Sequence, residues 1–278
     1  MSVSTLSLVS NSSMNIFPDN TSSHFVCKFP EELYYIDGDY EVAMTSFQCI
    51  KTWYTLREDE DYEIKLYAAN ANIEESVIEE GTEFQVELSS FTIKHGVYEN
   101  SEDLIQAINN KINEIGLDHY FSFEYDNISK KISISFSDPE ERWFKVSLTK
   151  DLTRKLGFLN FKCDQGWVSV YGQSGQTREG GYTVRLDEID QIFVTCDLAQ
   201  NLHVVGDIKS PLLHIVPSYG KFGDTIVFEP KTLIWLPIKR KSFDTAEIYI
   251  TDAQGRNIPF SSGTSIVRVD IRRKNIFK

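Results

Sequence analysis

Cysteine is scarce in this chain and follows no pattern. Cys27, Cys49, Cys163 and Cys196 lie far apart with no C-x-x-C. That spacing excludes the common zinc and dithiol motifs and argues against a disulfide framework. Cys27, Cys49 and Cys196 stand in apolar, strand-like runs, where a free thiol behaves as a small hydrophobe. Histidine is also thin. His24, His95, His119, His203 and His214 are scattered, with no H-x-x-x-H and no cysteine at ligand spacing. No run approaches the ~18 apolar residues of a membrane span. The first residues lack the basic and apolar regions of a secretion signal. The expectation is a protein made and kept inside a cell, with the sequons at Asn11, Asn20 and Asn127 unglycosylated. Cations are outnumbered, 28 against 41 acids for a net charge of -13. That balance argues against direct binding to nucleic acid or to a membrane.

Catalytic signatures are missing too. There is no G-x-S-x-G elbow and no phosphate-binding G-x-x-x-x-G-K-[ST]. The glycine clusters at Gly172–Gly175 and Gly180-Gly181 lack both the lysine and the strand-to-helix context of a phosphate loop. The acids Asp59, Asp61, Glu74, Glu75, Glu79 and Glu80 lie in a polar run without the apolar wall that raises a carboxyl pKa. Their spacing is not that of a calcium loop. The expectation is a protein that is not an enzyme and has no cofactor and no metal.

What is present is β-structure. Aromatic residues make up 13%, with 18 Phe and 13 Tyr, which suits half-buried pleated surfaces. Alternating apolar and polar residues mark strands at 3–9, 23–29, 40–47, 62–67 and 83–88. Between the first two lies SNSSMNIFPDNTSSH, which reads as a loop whose short polar side chains cap backbone groups. The period then changes. Asn100 or Ser101 caps a helix carrying Leu104, Ile105, Ile108, Ile112 and Ile115 on one face, and Gly116 ends it. Strands at 120–125, 131–136 and 143–148 follow, then a short helix capped by Thr149 and stopped at Gly157. The stretch 166–181 reads as loop, with a short strand at 168–171. Strands return at 191–198, 212–217, 225–228, 233–238, 245–251 and 265–271, with a hairpin turn at Asp252–Arg256 in which Gly255 supplies a positive φ.

Short strands with turn chemistry between them point to a mainly β protein. The expected fold is a single jelly-roll β-sandwich with an inserted small α+β module. The jelly roll spans 1–94 and 185–278; the insertion spans 95–184 and projects from one end. Charge is segregated. Residues 58–87 hold eleven acids against one lysine. Cations gather at Lys239, Arg240 and Lys241, then at Arg268, Arg272, Arg273 and Lys274.

Two segments carry a family likeness. Near the start stands S-N-S-S-M-x-x-F-P-D-N-T at 10–21, then D-Y-E-V-A-M at 39–44 and Trp53-Tyr54. Later come V-G-D-x-x-x-P-L-L at 205–213, Y-G-K-F-G at 219–223, F-D-T-A-E-I at 243–248, D-x-x-G-R-x-x-P-F at 252–260 and Arg272-Arg273. This pattern resembles the minor capsid (penton) proteins of Polinton/Maverick-type elements and adintoviruses. The middle segment, with Gly96-x-Tyr98, Ile108-Asn109 and Leu156-Gly157-Phe158, resembles that family as well.

The resemblance implies a structural capsid protein of the virion. It would form homopentamers at five-fold vertices and contact a double jelly-roll major capsid protein. Lys239, Arg240, Lys241, Arg272 and Arg273 are the candidate subunit contacts. The alternative is a β-sandwich binding module for a glycan or host cell-surface receptor, with Tyr98, Trp143 and Trp167 as an exposed aromatic platform.

Overall fold

The computed structural model describes residues 4–35, 39–69, 86–161 and 163–274. The turn expected at Asp37-Gly38, most of the acidic run and the first three residues of the 83–88 strand lie outside them. In chain order, β1 (Ser4–Val9), β2 (His24–Tyr34) and β3 (Tyr40–Ile50) come first. A middle segment holds β4 (Glu63–Ala68), β5 (Val86–Thr92), α1 (Ser101–Glu114), β6 (Phe121–Asp126), β7 (Lys131–Phe136) and β8 (Trp143–Thr149). It continues with α2 (Lys150–Leu156), β9 (Cys163–Asp164), β10 (Trp167–Gln173) and β11 (Thr177–Glu179). The last third contains β12 (Gln191–Cys196), β13 (His203–Val205), β14 (Ile208–Ser210), β15 (Leu212–Pro217), β16 (Thr225–Phe228), β17 (Leu236–Pro237), β18 (Ser242–Thr251) and β19 (Ile266–Arg273).

Contacts divide the chain into two compact units, 1–53 with 189–278, and 54–188. The first is a sandwich of two antiparallel sheets, ordered β1-β19-β3-β16 and β15-β12-β18-β2, with β17 also paired to β3. Its pairing is nested. β1 pairs with β19, β2 with β18, β3 with β16, and β12 with β15. Folding an eight-strand hairpin back on itself in this way is what makes a jelly roll. Each strand turns alternate side chains inward. Leu8, Phe25, Val42, Phe47, Val194, Ile248, Ile250, Val267 and Val269 fill the space between the sheets and are all but removed from water.

Residues 10–23 join β1 to β2 as an ordered loop. The Asn20 amide donates to the carbonyls of Ser12 and Val26, and its oxygen accepts the Val26 N–H at 2.9 Å. The Ser13 hydroxyl accepts the Lys28 N–H, and the Ser22 hydroxyl donates to the Gly263 carbonyl. Short polar side chains thus take up backbone groups that no ladder reaches.

The Asp252–Arg256 turn forms as expected. Gly255 has φ +78°, and the Asp252 carboxylate accepts the N–H groups of Gln254 and Arg256. The strands beside it, however, do not pair with each other. β18 lies between β12 and β2, and β19 lies between β1 and β3. The intervening Ile258 is buried and Phe260 meets the Trp53 ring edge-on at 5.6 Å, so the segment crosses from one sheet to the other over the core.

The second unit has its own core. One sheet runs β5-β4-β8-β10-β9 and another β11-β7-β6. Asn100 caps α1, accepting the Asp103 N–H at 2.8 Å. Leu104, Ile105, Ile108 and Ile112 are buried, whereas Ile115 lies past the last turn and is exposed. Thr149 precedes α2 but does not cap it; its hydroxyl donates to the Asp61 carbonyl instead. Gly157 closes α2 at φ +82°, where a Cβ would stand 2.2 Å from the Tyr182 carbonyl oxygen. β4 and β5 correct the expected boundaries. The sequence reading gave them to the jelly roll, but β4 hydrogen-bonds with both β5 and β8. The short strand read at 168–171 is the longer β10, and the stretch read as loop after it also holds β11.

Candidate subunit-contact site

Nested pairing decides where the cations of the first unit meet. β19 runs antiparallel to β3, with Arg273 opposite Tyr40 and Arg272 opposite Glu41. The C-terminal end of β19 therefore reaches the start of β3, near Asp39. The segment after β17 comes to the same end. The Ile238 N–H donates to the Tyr40 carbonyl at 2.9 Å and the Lys239 N–H to the Leu198 carbonyl at 2.8 Å. The Lys241 carbonyl accepts the Tyr35 N–H, and the Asp39 carbonyl accepts the Lys274 N–H, both at 2.7 Å. These bonds fix the backbones without using the side chains.

The result is a cleft of about 410 Å³ lined by Lys239, Arg240, Lys241 and Lys274, with Tyr35, Asp39, Tyr40, Gln200, Pro237 and Ile238. Arg240 holds an ion pair with Asp197 at 3.3 Å. Burial raises the Asp197 pKa, and the nearby Arg240 guanidinium partly opposes that shift. Lys239, Lys241 and Lys274 are exposed and carry no ion pair among the described residues.

Two of the five candidate contacts stand apart from this cleft. Arg272 is half-buried. Its guanidinium donates to Glu41 at 3.1 Å and lies 3.7 Å from the centre of the Trp235 ring. Those contacts engage two of its three nitrogens and one of its faces. Arg273 is exposed and outside the cleft lining. The sequence reading did not single out Tyr35, Tyr40, Gln200 or Lys274 as neighbours of the 239–241 triplet. The signal was the jelly-roll pairing itself, which sets the last strand beside the third.

The aromatic trio of the second unit does not form a platform. Trp143 is buried with Ala69, against Tyr67 and Tyr171. Tyr98 packs on the core, and its hydroxyl donates to the Lys94 carbonyl at 3.0 Å. Trp167 is half-buried under the Lys65 ammonium, 4.2 Å from the ring centre. In the β8–β10 ladder Trp167 pairs with Thr149, while Trp143 pairs with Gln173. Six residues of strand separate the two tryptophans, roughly 20 Å.

The second unit holds a different kind of cluster, made of buried charge. Lys155 is 1% exposed, donates to the Leu186 carbonyl at 3.1 Å, and lies 3.9 and 3.8 Å from Glu60 and Glu188. Arg154 pairs with the same two carboxylates at 2.8 and 2.6 Å. The Tyr62 hydroxyl donates to Glu60 and accepts the Arg57 N–H. Burial lowers the Lys155 pKa and raises that of Tyr62. The α2 cations thereby join residue 60 to residue 188, the two ends of the unit. The cluster therefore works as a clasp. Among the described residues no group of side chains has the make-up of a metal site.

The fold defines the class, a jelly-roll β protein carrying an α+β unit between its third and fourth sandwich strands. No protein-family model matches the sequence, and no curated protein does. Among solved structures, the chain is similar to the mavirus penton protein. The two are 12% identical and superpose with a TM-score of 0.53, over 98% of this chain and 99% of that one. A chain in the structure of the Sputnik virophage, determined by cryo-electron microscopy, is similar at 12% identity and a TM-score of 0.45, over 98% of each chain. The fold is thus shared with the mavirus penton protein along nearly the whole length.

Proposed function

We propose that this chain is a structural capsid protein of a virion, the penton that forms homopentamers at the five-fold vertices of an icosahedral shell. The observation carrying the reading is the nested eight-strand jelly roll together with its likeness to the mavirus penton protein over both units. The family likeness of the motifs at 10–21 and 205–260 supports it from the sequence side. A ring of five identical subunits uses heterologous contacts, one face of each copy meeting a different face of the next. Lys239, Lys241 and Arg273, exposed on a chain of net charge -13, suit electrostatic steering of that contact. The outer partner in this reading is a double jelly-roll major capsid protein.

Light scattering across concentration and salt tests the assembly. A discrete species at five times the 31.9 kDa chain mass is expected. A strict monomer that also fails to enter shells when co-expressed with a major capsid protein overturns the reading. Reversing the charge of Lys239, Arg240 and Lys241 is expected to weaken the ring; unchanged assembly removes them from the contact.

The binding-module reading keeps one supporting observation. β4, β8 and β10 turn Lys65, Tyr67, Lys145, Trp167 and Tyr171 to one face, with Lys145 4.0 Å from the Tyr67 ring centre. Such a face suits a sugar ring. A glycan array without hits removes it.

A further inference from the structure

The basic cleft holds the lysines offered above as subunit contacts, and its shape and charge point to a second use. Among the described residues four cations and one carboxylate line it, a formal excess of three positive charges, or two once Asp197 is counted with Arg240. Three of those cations, Lys239, Lys241 and Lys274, make no ion pair among the described residues, although Lys239 also acts on the Asp197 carboxylate, and the backbones carrying them are held by cross-strand hydrogen bonds. This concentration stands in a chain that is acidic as a whole, so overall charge does not account for it. Size narrows the occupant. A cavity of 410 Å³ is roughly 9 Å across, the length of about three residues of extended peptide. Alternate side chains of such a peptide point opposite ways, so it brings one or two carboxylates into the space. Each terminal phosphate brings about 1.5 to 2 negative charges, and linked phosphates occupy the same volume more densely. Lysine ammonium groups suit phosphate as mobile point charges. Tyr35 and Tyr40, with ring centres 4.7 Å apart, and the Gln200 amide add neutral polar groups and flat surface beside them.

We infer that this cleft, formed by Lys239, Arg240, Lys241 and Lys274 at the β2–β3 end of the sandwich, binds a linked-phosphate anion. Two sources share that chemistry, a free nucleoside triphosphate and the phosphate backbone of a nucleic acid strand. The assignment goes beyond the vertex reading but shares its lysines, so binding is measured on the monomer at dilution as well as on any assembled form, and only the monomer result decides it.

The test is calorimetric titration with sodium tripolyphosphate at two salt concentrations. Binding is expected, with log affinity falling against log salt at a slope of about two to three, one counterion for each lysine engaged. K239A/K241A and K274A are expected to weaken it by roughly tenfold or more. K231A, at an exposed lysine outside the cleft, leaves it unchanged. All these residues are exposed, and an unshifted melting temperature verifies that the variants fold. ATP and a thymidine oligonucleotide, each competed against tripolyphosphate, separate the sources. Competition by ATP alone assigns a free nucleotide, and stronger competition by the oligonucleotide assigns a nucleic acid backbone. Absence of binding at millimolar tripolyphosphate overturns the inference. So does an equal loss in K231A, or polyglutamate that matches tripolyphosphate, since that points to an acidic protein segment.

Discussion

Both units bury a large apolar core, but they differ in what holds their ends in place. In the sandwich each strand of the first half pairs with one of the second, and Ser4 stands opposite Ile271. Its core is apolar side chains between two sheets. The second unit is one continuous stretch, 54–188, that places ionised groups out of water where the stretch begins and ends. Buried charge is a poor source of net stability, since desolvation offsets most of the attraction, but removing one partner is costly. The comparison teaches that long-range strand pairing already specifies one arrangement, whereas an inserted segment needs something to hold its two ends together. Here the α2 cations do so.

The largest expected effects ask whether the cores are separate. Phe47→Ala in the sandwich and Phe144→Ala in the second unit each empty a fully buried ring position and should cost about 3–5 kcal/mol. In calorimetry each is expected to lower a different transition; a single transition shifted equally by both breaks the comparison. Lys155→Met keeps the apolar stem and removes the charge. Glu60 and Glu188 then share Arg154 alone, and a loss of about 3 kcal/mol is expected, confined to the second transition.

A smaller effect depends on pH. Asp138 is buried, accepts from the Arg142 guanidinium at 2.7 Å, and has its pKa held below 3.8, chiefly by that bond. Its contribution is therefore complete above the unfolded value and is lost as pH falls through the lower folded one. Asp138→Asn should destabilise the second unit by about 2 kcal/mol at pH 6, and the gap to the parent should close as pH drops below 3.8. Melting curves across acid pH measure it; a constant gap removes the charge from the explanation. In the sandwich, Asn20→Ala removes three hydrogen bonds of the β1–β2 loop and should cost about 1–2 kcal/mol, read from the denaturant midpoint. K239E/K241E should change stability by under ~0.5 kcal/mol, so any effect on assembly or anion binding is a surface effect.

Much of this was legible locally. Alternation located most sandwich strands because one face of each meets the core. The Asn100 cap, the apolar stripe of α1 and the glycine stops at 116 and 157 follow from backbone chemistry within a few residues. The loop 10–22 was readable because Asn, Ser and Asp side chains bond to backbone groups nearby. Ambiguity began where the deciding partner is distant. β4 alternates like any sandwich strand, and nothing within it says that β5 and β8 flank it rather than β3. Trp143 and Trp167 were read together as an exposed platform, yet one is buried against Tyr67 and Tyr171 while the other stands half-open under Lys65.

The sequence by itself thus located the eight paired sandwich strands and both helices, and pointed to a β-sandwich with an α+β insertion. Those properties depend on side-chain period and on φ/ψ preferences, which are local. Only the tertiary structure decided that the insertion starts at residue 54, that Arg272 is spent on Glu41 and Trp235, and that Lys274 shares a cleft with Lys239, Arg240 and Lys241. The reason is that pairing partners in a jelly roll lie up to the length of the chain apart, and electrostatic neighbours are set by which strand ends meet.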